Sequence, residues 1–101
     1  APSGGSDYSV TTVSGSNYNA SISTGSELIF HSEATSRTIN LPTAVGNTAT
    51  YIIVFDSATP GVTLTVDGNG TETISGDLSI IMRVPGESVT LRSNNVNWYI
   101  N

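Results

Sequence analysis

The sequence predicts an all-β fold, an antiparallel β-sandwich of jelly-roll type spanning residues 8–101 as a single domain. Three observations lead there. Apolar residues come in short alternating runs, broken every eight to twelve residues by Gly, Pro, Asn or Asp, the rhythm of a sandwich or barrel. No stretch sustains a 3.6-residue period. Ser and Thr exceed a quarter of the 101 residues, beside 37% hydrophobic and 11% charged residues, which suits half-solvated strands and not disorder.

Taken in order, residues 1–7 (APSGGSD) read as a flexible linker to, or a cut from, something longer; they lack the basic and apolar regions of a signal peptide. Tyr8 to Val13 is a first weak strand, stopped by turn residues at Gly15 to Asn17. Ala20 to Ser23 is a short second strand, and Glu27 to His31 a third. Thr38 to Leu41 alternates with Ile39 and Leu41 inward and stops at Pro42. Thr43 to Thr48 is a loop.

Thr50 to Phe55 is the strongest strand, and it is apolar on both faces. In a two-layer sandwich one face should be wet, so this strand is either covered on both sides or part of a subunit contact. After a turn at Asp56 to Gly61, Val62, Leu64 and Val66 alternate with Thr63 and Thr65. "DGNG" at 67–70 is a turn, Glu72 to Ile74 a short strand, and Leu78 to Val84 a longer one. Pro85-Gly86 makes a turn of type II. Ser88 to Leu91 and Asn97 to Ile100 close the chain as roughly the ninth or tenth strand. The final alternation places Trp98 and Ile100 inward and Tyr99 outward. No fixed internal repeat is visible.

Composition excludes several functions. Three Arg, no Lys and eight acids give a net charge of -5, which argues against nucleic acid and anionic membrane surfaces. There is no Cys, hence no disulfide and no thiolate metal site. No apolar run reaches the roughly 18 residues of a membrane helix, so no membrane insertion is expected. A small chain without disulfides gains stability by self-association.

Candidate chemistry is sparse. His31 follows an apolar strand and reads as a surface or edge histidine, with a ligand or inter-subunit contact as the alternative. Ser is too abundant for a Ser–His–Asp match to carry meaning, and the acids lie mostly in or beside predicted turns, where Asp bonds its own backbone. "DGNGTE" supplies Asp67 and Asn69 but not the remaining ligands of a calcium loop. Asn19-Ala-Ser21 and Asn69-Gly-Thr71 match the glycosylation acceptor pattern. Tyr8, Tyr18 and Tyr99 are expected to be exposed, while Phe30, Tyr51, Phe55 and Trp98 are expected in the core. The residues singled out for ligand contact are Tyr18, Tyr99 and His31; no catalytic, metal or cofactor residue is assigned, and no cofactor is expected.

Over about Tyr8 to Asn101, and most strongly from Arg37 onward, the chain is similar to a module common in bacteriophage tail fibre, tail spike and related virion appendage proteins. The resemblance is carried by Thr38 to Pro42 (TINLP), Tyr51 to Phe55, Val62 to Val66, Thr73 to Gly76 (TISG), Gly86 to Leu91 (GESVTL) and Asn97 to Tyr99 (NWY). Asn94-Asn95 stands where the family usually has Asp-Gly. The resemblance implies a non-enzymatic homotrimeric module on the virion surface that attaches to a host-surface glycan or protein and contacts other virion proteins. Two other readings stay open: a capsid-decorating or head-fibre protein with a structural role, and a carbohydrate-binding module of a secreted bacterial protein. An enzyme with an acid site between subunits ranks last.

Overall fold

The computed structural model describes residues 8–101. The linker reading for residues 1–7 lies outside the described residues. The described residues form nine strands: β1 (Tyr8–Thr12), β2 (Tyr18–Asn19), β3 (Ser26–His31), β4 (Arg37–Asn40), β5 (Thr50–Phe55), β6 (Leu64–Asp67), β7 (Ser79–Met82), β8 (Glu87–Ser93) and β9 (Trp98–Ile100). They form two sheets, one ordered β1-β3-β5-β8-β9 and the other β2-β4-β6-β7, and no helix is found among the described residues.

The all-β expectation holds, whereas the antiparallel, jelly-roll path does not. β1, β3 and β5 run parallel, as do β2, β4 and β6. The antiparallel pairs are β5–β8, β6–β7 and β8–β9. The reason lies in the connections. The first six strands alternate between the sheets, so each in-sheet neighbour is two strands away in sequence and points the same way. Between these six strands the Gly and Asn corners carry the chain across to the opposite sheet; the later β6–β7 and β8–β9 connections return it within one sheet.

The chain therefore winds as a short two-sheeted coil, and its last third folds back along it. One turn takes 18 residues from Tyr8 to Ser26, 21 from Tyr18 to Ile39, 24 from Ser26 to Thr50 and 27 from Arg37 to Leu64. Each turn being longer than the last, no fixed period appears in the sequence.

Both sheets line one core. Ile29, Tyr51, Ile53, Phe55, Leu91 and Trp98 come from the larger sheet, and Ile39, Leu64, Val66 and Met82 from the smaller. Alternation sets these rows. In parallel register Glu27 stands beside Tyr51 and Ile29 beside Ile53, all facing inward, while Leu28 stands beside Ile52 and Phe30 beside Val54, facing out. Phe30, expected in the core, is thus half-buried on the outer face. The local choice inverts the apolar logic of β3: its inward residues include Glu27 and His31.

Other boundaries shift. The second strand is Tyr18–Asn19 and not Ala20 to Ser23. The short strand expected at Glu72 to Ile74 reduces to bridges from Ile74 to Asp77 and Trp98. Ile100 keeps the inward parity but sits at the sheet's end, exposed.

Candidate functional site

The three residues singled out for ligand contact are not brought together. His31 is fully buried, which corrects the surface reading. It lies at the end of β3 where the core closes, stacked on Phe55 with ring centroids 5.6 Å apart, and its Nε2 is 2.7 Å from the carbonyl oxygen of Thr35. Glu33, 3.9 Å from His31, accepts from Arg37 Nε at 2.5 Å and from the Gly15 amide at 3.3 Å. The guanidinium holds the Glu33 carboxyl below its ordinary range.

Tyr18 is likewise no open stacking platform. It sits on β2, half-buried, with its hydroxyl donating to Glu27. Glu27 itself is 98% shielded at the open first turn of the coil, where Oε2 also accepts from Thr11 at 2.6 Å. Glu27 Oε1 has no hydrogen-bond partner among the described residues. Sequence reasoning missed this acid because Leu28 and Phe30 made the other face of the strand the more apolar one. Burial, and then the hydrogen bond to Glu27, raises the Tyr18 pKa above 10.0. Burial raises Tyr51 further, with Glu27 adding to it, while its hydroxyl donates to the Ile22 carbonyl oxygen at 2.9 Å. Apart from Glu27 Oε1, these groups bond to one another or to backbone, and they give the coil's first turn a polar interior.

Tyr99 is exposed, as expected. It pairs with Arg92 beside the end of the molecule where three loops meet: residues 41–49, 68–78 and 94–97. Side chains clamp these loops. Glu72 accepts from Thr43 Oγ1 at 2.6 Å and from the Ala44 amide at 2.7 Å. Ser93 Oγ donates to the Ala44 carbonyl oxygen at 2.5 Å, and Asn95 Oδ1 accepts from the Gly46 amide at 2.6 Å. Asn97 Oδ1 accepts from the Thr73 amide at 2.9 Å. Asn94 Oδ1 accepts from the amides of both Val96 and Asn97.

Asn95 adopts a left-handed conformation, φ 77°, which Asn tolerates better than most residues. That conformation turns Val96 outward, and the Gly46–Asn95 bond brings Val45 alongside. Both valines are exposed, at about 60%. Large apolar side chains fixed at the tips of a hydrogen-bonded loop cluster are the arrangement expected of a contact surface.

The outer face of the larger sheet is a second candidate surface. Val10, Leu28 and Ile52 form one row across β1, β3 and β5, and Phe30 and Val54 half of the next. The smaller sheet presents the opposite character: Asn19, Asn40, Asp67 and Ser79 in one row, with Asn40 Nδ2 donating to Asn19 Oδ1 at 2.9 Å.

Among the described residues no group of three or more His, Cys, Asp or Glu is placed to hold a metal ion, and no helix is long and apolar enough to cross a membrane. Comparison of the chain with protein-family models, with curated proteins and with solved structures finds no match.

Proposed function

We propose that this chain is a non-enzymatic module of a bacteriophage virion appendage, a fibre or spike, that works as a homotrimer in attachment to the host surface. The sequence resemblance suggests the setting. The observation that carries the reading is the clamped loop end, where Val45 and Val96 are held exposed. Binding through a pre-ordered surface loses little conformational entropy, so the strained Asn95 and the hydrogen bonds around it serve recognition as well as stability. The ligand there is a host-surface protein or glycan: Tyr99 offers a ring to a sugar, and the two valines offer apolar contact.

The test is adsorption of labelled protein to a panel of whole bacterial cells, with the double variant Val45→Asp, Val96→Asp in parallel. Both positions are exposed, so the fold survives the change. Wild-type protein should bind at least one cell type, and the variant should lose about tenfold or more in affinity. Binding to purified virion shells but to no cell would overturn the attachment role in favour of a capsid-decorating one.

A further inference from the structure

We infer that the outer face of the larger sheet is an interface between copies of this chain, centred on Ile52. The inference deepens the self-association in the proposed function by naming its surface. It begins with pairing. β1, β3 and β5 form a parallel ladder, and parallel sheets are covered on both faces. Here the inner face is buried in the core and the outer face carries Val10, Leu28, Phe30, Ile52 and Val54. Ile52 lies on the central strand and is still 36% exposed; Val10 is 59% exposed.

Among the described residues no segment covers Val10 or Ile52 fully. Residues 1–7, APSGGSD, contain no side chain larger than Pro apart from Asp7. Nucleic acid needs a basic surface, and the outward positions of this sheet hold a single charge, Arg92.

Charge selects a second copy. At a net charge of -5, two copies repel, and they repel least through a surface without carboxylates. Among the described strand residues this is such a surface: Glu27 points into the core, Glu87 shares the inward parity, Asp67 lies on the smaller sheet, and Glu33, Asp56, Glu72 and Asp77 lie in the loops. The three strands that carry these residues, about 4.8 Å apart and about five residues long, give a footprint of roughly 240 Å². A standard interface takes about 800 Å² from each partner. The face alone therefore supports concentration-dependent association rather than a permanent complex.

The experiment is sedimentation velocity of the 101-residue chain over a wide dilution series, with Ile52→Asp and Val10→Lys measured alongside and their folds checked by circular dichroism. Val10 is on the edge strand and well exposed, so that variant keeps the fold even if Ile52→Asp does not. Wild-type chain should associate as concentration rises, and each folded variant should weaken association by about tenfold or more. A wild-type monomer at every concentration would overturn both this interface and the homotrimer. Association that neither folded variant weakens would overturn this interface and leave the homotrimer standing. A dimer limit sensitive to both variants would support the interface and remove the trimer.

Discussion

The indole Nε1 of Trp98 donates a hydrogen bond to the carbonyl oxygen of Pro42 at 3.1 Å, joining the last strand to the loop that leads into β5. The same ring is fully buried and meets Tyr51 edge-on, with centroids 5.5 Å apart. Its backbone pairs sideways as well: the Trp98 amide donates to the Thr73 carbonyl oxygen at 2.8 Å, and the Ser75 amide donates to the Trp98 carbonyl oxygen at 2.9 Å. Trp98 is therefore the pin of the loop end. Trp98→Ala should cost about 3–5 kcal/mol in urea unfolding. Trp98→Phe should cost less but still leave the Pro42 carbonyl without its donor, about 1–3 kcal/mol of that loss. An unchanged unfolding midpoint in Trp98→Ala would contradict this role.

Gly68 makes a different demand on the same end. A Cβ there would stand 2.4 Å from the backbone oxygen of Glu72 and 3.4 Å from that of Leu78, and neither can swing away. Gly68→Ala should destabilise by about 2–3 kcal/mol or more through overpacking. Gly15, with φ +79° and no atom within 4 Å of such a Cβ, is the control. Gly15→Ala should cost about 1–2 kcal/mol, from the left-handed backbone alone. Equal losses in the two variants would show that crowding at Gly68 is relieved.

The phenols of Tyr18 and Tyr51 predict an alkaline limb of stability. Both have pKa values raised above 10.0 in the folded state, chiefly by burial. The folded chain thus holds protons that the unfolded chain releases, and the stabilisation they bring is present below pH 10 and lost as pH rises through their folded values. Tyrosinate absorbance of the native protein should lag behind that of the unfolded chain, and unfolding above pH 10 should release protons. Tyr18→Phe should remove part of the lag and cost about 1–3 kcal/mol at neutral pH, because Glu27 loses a donor. Native and unfolded titration curves that coincide would rule out the burial.

Much of the fold was legible because period-two patterning reports strands directly. Leu64 and Val66 point inward with Thr65 between them, and Trp98 and Tyr99 divide between core and solvent as their alternation requires. Pairing direction was not legible. A Gly or Asn corner looks the same whether it closes a hairpin or carries the chain to the opposite sheet, and lengthening turns hid the coil. Of the candidate site, only Tyr99 was recovered as an exposed residue. His31 was misplaced, and the buried Glu27 missed, for one physical reason: in β3 the more apolar pair, Leu28 and Phe30, faces outward. The two-sided apolar character of Tyr51 to Phe55 gave notice of that outer face, and Ile52 is where it surfaces.

The measurement that bears most directly on the account is hydroxyl-radical footprinting of the chain at high and low concentration, read at Ile52 and Phe30, with Val84 as an internal reference. Val84 is 63% exposed on the turn before β8 and is not one of the apolar residues of the proposed interface. The account predicts that Ile52 and Phe30 are protected at high concentration and gain label on dilution, while Val84 labels equally throughout. Label at Ile52 and Phe30 that stays constant on dilution, in a sample that sedimentation shows to dissociate, would contradict it.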